Sequence, residues 1–298
     1  MHRYEQMIIF SGAVKMMKQE YLLGHAFGNL HNEDTTILQS NPNWKLLNSS
    51  WSQMSLDNAT RLVEAVKKTF EQWFGYDYVN SKGVLIVNHA SVEGCPVCWH
   101  TYEMIGLNIN GEFWCQFIYQ FAHELCHLMT YDSKEAIIPS EIMWLLETIC
   151  EASSFCTLAV LAKQWQDKPV IFEDPSYFTS IEKYYAGLIE SIPDLSNDEL
   201  ISCFLKNVEY LRTNSTDREL NKVFAKKLHN LLLDTPLYWK PIQYICSSKI
   251  DSKMSTREML NSWYQNSPSA VKQAVLTLLL AFGFVDFGGS IRHITQDG

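Results

Sequence analysis

The pattern of hydrophobic positions predicts two long buried helices near the middle of the chain. Residues 112–130 contain neither proline nor glycine, and their apolar side chains are spread around the whole circumference of a helix. A second run without these breakers covers residues 141–161. Helices that are apolar on every side are buried, so both segments are predicted to lie at the centre of the fold.

Hydrophobic periodicity elsewhere predicts a mixed α+β protein. Short β-branched or alternating runs predict strands at residues 83–88 and 104–109. Helical spacing predicts a helix at residues 56–74, with Asp57 as its N-cap and Gly75 as its stop. The rest of the first 80 residues is also predicted to be mostly helical. Further helices are predicted at residues 177–192, 198–211, 218–233 and 270–282.

Length and composition fit a globular protein of two parts. The chain has 298 residues, of which 47% are hydrophobic and 19% are charged, which is enough for a large core. We expect an α/β subdomain over residues 1–132, with a small mixed sheet, and an all-helical subdomain over residues 133–298. The net charge of −9 argues against nucleic-acid binding, which needs a basic surface.

The sequence favours a cytoplasmic protein without a membrane segment. The apolar run at residues 7–14 is short for a signal sequence, and residues 270–282 are too few to cross a bilayer. The eight cysteines are scattered, which is typical of reduced thiols. We interpret Cys95 and Cys98 as free thiols in a loop, with a metal or disulfide role as the alternative. The oligomeric state stays open.

Two histidines and a glutamate in the first buried helix predict a metal site. His123 and His127 are four residues apart and therefore lie on one helical face, where both rings can bind one ion. Glu124 lies beside them, where a carboxylate can accept a proton from water without binding the metal. The second buried helix carries Glu147 and Glu151. We assign Glu147 as the third ligand and Glu151 as the group that orients a ligand histidine.

This arrangement resembles the gluzincin metallopeptidases, which include thermolysin-like enzymes, zinc aminopeptidases and compact minigluzincins. The resemblance covers residues 83–158, about a quarter of the chain. It implies a zincin-like fold with a cleft between the two parts, a Zn²⁺ cofactor, and hydrolysis of a peptide or protein substrate. One difference concerns Glu151, because the family usually has an Asp or a short polar residue there.

The resemblance also suggests residues that contact the substrate. In the family, the strand before the metal helix is the sheet edge to which a peptide adds as an extra strand. Asn108 and Asn110 would then hold the substrate main chain, although they could equally be ordinary turn residues. A donor for the oxyanion of the reaction is also required. Tyr184 is similar to the tyrosine of aminopeptidase relatives, with Tyr210 and His229 as alternatives.

Two other functions stay open at this point. The first is a zinc-stabilised module that binds peptides without cleaving them. A purely structural zinc is expected to have four protein ligands and no free Glu124 beside it, which argues against this reading. The second is an effector peptidase with one dedicated protein target.

Overall fold

The computed structural model describes residues 35–51, 54–89, 95–131, 140–246, 254–287 and 290–293. The described residues from Ile37 onward belong to one compact unit. The short apolar run at residues 7–14 lies outside the described residues. So does the predicted subdomain boundary at residues 132 and 133, which stays a prediction.

A five-stranded mixed sheet occupies the N-terminal half. Its strands stand in the order β1-β2-β3-β5-β4. The pairs β2–β3 and β3–β5 are parallel, whereas β4 runs antiparallel to β5 and forms one edge of the sheet. The central strand β3 is mostly buried, as expected for a strand between two parallel neighbours. The strands are β1 (Thr35–Leu38), β2 (Asn41–Leu47), β3 (Val84–Asn88), β4 (Val97–Trp99) and β5 (Met104–Leu107).

Nine α-helices account for most of the remaining described residues. A 3₁₀ segment at Pro236–Tyr244 and an antiparallel hairpin of β6 (Phe284–Phe287) and β7 (Ser290–His293) complete the C-terminal half. The helices are α1 (Leu56–Phe74), α2 (Tyr76–Asn80), α3 (Trp114–Thr130), α4 (Ser140–Asp167), α5 (Phe178–Glu190), α6 (Asn197–Thr213), α7 (Arg218–Asp234), α8 (Thr256–Asn266) and α9 (Ser269–Leu280).

Helix α4 is the central element of the fold. It packs against α3, α5 and α7 and also contacts α1, α6 and α8. Its large side chains Trp144, Phe155 and Trp165 are fully buried. The helix is long and apolar enough to cross a membrane, but 83% of its most apolar stretch is buried within the protein. Other helices pack around α4, which explains why its apolar residues are not confined to one face.

Several predicted elements are confirmed. Helix α1 has the predicted bounds, and it ends at Gly75, whose φ of 99° belongs to the region that favours glycine. Helices α3 to α7 and α9, and strands β3 and β5, agree with the prediction to within a few residues. The N-cap of α1 is a correction: Ser55, not Asp57, accepts the hydrogen bond from the Asn58 amide.

Other predictions for the fold are wrong. Residues 35–47, expected to be helix or loop, contain β1 and β2. Val97 and Cys98 belong to the edge strand β4 rather than to a loop. Strand β5, which precedes the metal helix, lies inside the sheet between β3 and β4 and is not its edge. The C-terminal half is not all helical, because it ends in the β6–β7 hairpin.

Candidate metal centre

Helix α3 holds two histidines side by side at the surface of the core. The ring centroids of His123 and His127 are 5.0 Å apart, with a 64° angle between the ring planes. Residues on the other faces of the helix, such as Phe117, Phe121 and Leu125, are fully buried and fix its rotation. The two histidine side chains remain 16% and 12% exposed, so their site is accessible.

Helix α4 brings a carboxylate between the two rings. Oε2 of Glu147 lies 3.3 Å from Nε2 of His123, and Oε1 lies 3.4 Å from Nε2 of His127. One ligand atom from each of the three residues lies within 4.8 Å of the other two, so the group could hold a metal ion. The sequence prediction that these three residues converge is therefore confirmed.

The charges of the cluster determine where its protons reside. Burial lowers the pKa of His123, but the facing carboxylates of Glu147 and Glu151 outweigh it and raise that pKa well above its ordinary value. Burial also lowers the pKa of His127, but the negative charge of Glu147 and its hydrogen bond to the ring outweigh this effect, so the pKa of His127 is raised. Burial raises the pKa of Glu147, yet the two imidazoles hold it well below its usual range. Without a metal, the two imidazoles therefore keep their protons to higher pH than usual, and the Glu147 carboxyl ionises at lower pH than usual.

Glu151 faces the other side of the first histidine. Its Oε2 lies 3.6 Å from Nδ1 of His123, and its Oε1 accepts a hydrogen bond from the hydroxyl of Tyr119. Glu151 is only 4% exposed. Burial and the charge of Glu151 raise the pKa of Tyr119 far above its usual value, so the phenol keeps its proton and remains a donor. Glu151 thus occupies the position expected of a group that orients His123, and that role stays a prediction.

Glu124 lies beside the cluster and is almost completely buried. Among the described residues it has no hydrogen-bond partner, although only 6% of it is exposed. Burial raises the pKa of Glu124, and the positive charges of His123 and His127 only partly oppose this shift. An acid with a raised pKa and no partner is well suited to accept and release a proton.

Two serines fix the separation of the metal-site helices. The hydroxyl of Ser153 donates to the carbonyl of Ala122 at 2.9 Å, and that of Ser154 donates to the carbonyl of Tyr119 at 2.8 Å. These small residues let the backbones of α3 and α4 approach closely. These two hydrogen bonds lie within one helical turn of Glu151 and His123. They therefore fix the position of Glu151 on α4 relative to His123 on α3.

The three candidates for an oxyanion donor occupy different places. The Tyr184 ring packs edge-on against Tyr119, with ring centroids 6.4 Å apart. It therefore lies next to the hydrogen bond between Tyr119 and Glu151. Tyr210 is 48% exposed, and its hydroxyl donates to Asp217. His229 is buried, and its two ring nitrogens contact the Tyr185 hydroxyl and the side chain of Asn230. Tyr184 thus packs against Tyr119, which in turn hydrogen-bonds to Glu151 beside His123.

The residues predicted to hold a substrate main chain lie between β5 and α3. The amide of Asn108 donates to the side chain of Gln120 at 2.9 Å, and its carbonyl accepts from the same side chain at 3.1 Å. Asn110 is exposed. The backbone of Asn108 is therefore tied to the metal helix, and the assignment of these residues to a substrate stays a prediction.

Two features near the site were missed in the sequence. The first is the edge strand β4, whose Cys98 thiol has a pKa raised by burial and then by the charge of Glu124. The second is Arg218, the first residue of α7, whose charge acts on both Glu124 and Tyr119. All eight cysteines, including Cys95, are free thiols.

Comparisons with protein-family models, with curated proteins and with solved structures find no match to this chain. The interpretation of the site consequently depends on its own residues and their geometry.

Proposed function

We propose that the protein is a zinc-dependent peptidase of gluzincin type. The observation that carries the proposal is the convergence of His123, His127 and Glu147, with the buried carboxyl of Glu124 beside the two imidazoles. A structural metal site would be expected to have four protein ligands. Three ligands with an adjacent acid correspond to a catalytic site with one open position.

The donor set favours zinc over other common ions. Two imidazole nitrogens and one carboxylate are typical ligands of catalytic zinc, whereas magnesium and calcium prefer oxygen ligands alone. The ligand atoms lie on two buried helices, so little ordering is required on binding. When bound, zinc acts as a Lewis acid on the substrate carbonyl and lowers the pKa of water.

Glu124 would carry protons during the reaction. Its raised pKa allows it to accept a proton from the attacking water and to deliver it to the leaving amine. Glu151 would keep His123 oriented through Nδ1, with Tyr119 holding the carboxylate in place. Tyr184 is the candidate for a donor to the developing oxyanion.

The edge strand β4 offers a place for the substrate. It has a strand partner on one side only, and it contacts the metal helix. A peptide could therefore add to it as a further strand, with backbone hydrogen bonds that do not depend on side chains. The influence of Glu124 on Cys98 supports a path along β4 past the acid. The eight free thiols favour a reducing compartment such as the cytoplasm.

The proposal is tested with purified protein and a proteome-derived peptide mixture analysed by mass spectrometry. We expect close to one zinc per chain by elemental analysis, and cleavage that stops with a chelator and returns with zinc. His127→Ala should lose the zinc. Glu124→Gln should fold and keep zinc but lose activity by several orders of magnitude.

Two outcomes would count against the proposal. Full zinc content in His127→Ala would remove the ligand assignment. A zinc-loaded wild type that cleaves nothing, and a Glu124→Gln variant that behaves like it in the cell, would favour the peptide-binding module without turnover.

A further inference from the structure

Arg218 is a positively charged residue whose charge acts on the metal helix. It is exposed at the start of α7, and among the described residues it makes no ion pair and donates no hydrogen bond. Its two neighbouring acids are engaged elsewhere. Asp217 accepts from the amide of Leu220 and from the Tyr210 hydroxyl, and Glu219 pairs with Lys222 at 3.1 Å.

The beginning of α7 is anchored beside the metal-site helix. Asn221, one turn after Arg218, accepts a hydrogen bond from Thr148 at 3.4 Å, and Thr148 adjoins the ligand Glu147. Asn221 also donates to the carbonyl of Ser215 at 2.7 Å, which ties the preceding turn to the same point. Arg218 is therefore carried by a segment that is fixed next to the metal cluster.

The charge of Arg218 reaches the helix that carries the histidines. It opposes the upward pKa shifts of both Glu124 and Tyr119 on α3. Its charge therefore acts on the metal helix at Glu124, the acid next to the ligand His123. In a chain of net charge −9, such a cation beside a cluster of carboxylates calls for an explanation.

We propose that Arg218 binds a carboxylate of the substrate and makes the protein selective for peptides with a carboxylate near the scissile bond. A guanidinium can form two parallel hydrogen bonds with a carboxylate, which a neutral amide cannot replace. The carboxylate belongs either to the free C-terminus of the peptide or to an Asp or Glu side chain. The inference rests on the proposed function for the identity of the substrate as a peptide.

A binding measurement tests Arg218 without requiring turnover. Zinc-loaded protein is titrated by calorimetry with alkyl hydroxamates of increasing length that end in a carboxylate or in the matching primary amide. The hydroxamate binds the metal, and the far end probes Arg218. At the best length, wild type should bind the carboxylate roughly 10- to 100-fold more tightly than the amide.

Three variants decide whether the guanidinium is responsible. In Arg218→Met the ratio of the two affinities should fall to about one, and in Arg218→Lys it should be intermediate, because the charge remains but the paired hydrogen bonds do not. Lys227→Met removes the same charge from the same helix without disturbing the pair of Glu219 and Lys222, and it should leave the ratio unchanged. Equal affinities in wild type, or a ratio retained in Arg218→Met, would overturn the inference.

Peptide pairs identify the source of the carboxylate. Wild type is offered peptides with a free or amidated C-terminus, and peptides with an internal Asp or Asn. Arg218→Met should raise KM for the preferred acidic member and leave kcat nearly unchanged. A lower kcat for all peptides would instead mean a role in the chemical step and would overturn the inference.

The two proposals fail in different ways. If the protein binds zinc but cleaves no peptide, the proposed function fails, and the hydroxamate ratio still decides whether Arg218 binds carboxylates. If cleavage occurs without preference in either peptide pair, the inference about Arg218 fails while the peptidase remains.

Discussion

The two glutamates of α4 provide a quantitative test of the site. They lie one turn apart on one helical face, but Glu147 faces Nε2 of both histidines whereas Glu151 faces only Nδ1 of His123. We predict that Glu147→Gln weakens zinc binding far more than Glu151→Gln does. Both changes keep the shape of the side chain and remove its charge.

The expected magnitudes follow from these positions. Zinc sites with four protein ligands bind with about 10–16 kcal/mol, or roughly 2.5–4 kcal/mol for each ligand. Losing Glu147 should therefore raise the zinc Kd by about two to three orders of magnitude. Groups that orient a ligand are worth about 10- to 100-fold, which is about 1.4–2.7 kcal/mol for Glu151.

The measurement is a competition titration with a chromogenic zinc indicator, on variants whose thermal unfolding shows that they are folded. Asp167→Asn provides the control, because it removes one charge from the exposed end of the same helix. The reasoning is refuted if Glu151→Gln loses zinc more severely than Glu147→Gln, which would exchange their roles.

Three further predictions concern stability. Because folding raises the pKa values of His123 and His127, protonation of the two rings stabilises the metal-free fold below about pH 6.5. This stabilisation is lost as the pH rises through the two raised pKa values. Zinc-loaded protein should instead lose stability as pH falls, because protons displace the metal. Urea unfolding measured across pH, once with a chelator and once with zinc, checks the two trends. If stability changed with pH in the same direction in both samples, this prediction would be contradicted. Gly106→Ala should destabilise the fold by about 1–3 kcal/mol, because the new Cβ would lie 2.7 Å from the Trp99 ring; calorimetric melting measures this, and an unchanged Tm would be evidence against it. Ser196→Ala should cost about 1 kcal/mol in urea unfolding by removing the capping box of α6, whereas a cost near zero would mean that the cap contributes nothing.

The metal-site helices could be predicted because their signals are local. An apolar circumference and the absence of breakers define α3 and α4, and helical geometry alone places His123 and His127 on one face. The assignment of Glu147 needed one further step, since a carboxylate in an apolar helix requires a partner.

The missed features depend on contacts between distant segments. Strand β4 has three residues, too few for any alternation to be visible, and it exists because it pairs with β5. Strand β2 begins with Asn41 and Pro42, which suggest a turn, and only the buried Trp44 and Leu46 reveal its inner face. Arg218 lies near Glu124 only because α7 packs against α4. No pattern around position 218 contains that information.

The burial of most of α4 has a consequence for the order in which the protein matures. During synthesis the segment with His123 and His127 leaves the ribosome first, followed by α4 with Glu147. Of the helices that pack most closely on α4, α3 is made before it, whereas α5 and α7 are made after it, and an uncovered apolar helix of this length is prone to aggregation. We therefore expect Glu147 to reach its final position only after α5 and α7 have packed against α4. A chain cut short before α7 should offer His123 and His127 to a metal without a fixed third ligand, so metal uptake should follow the folding of these later helices.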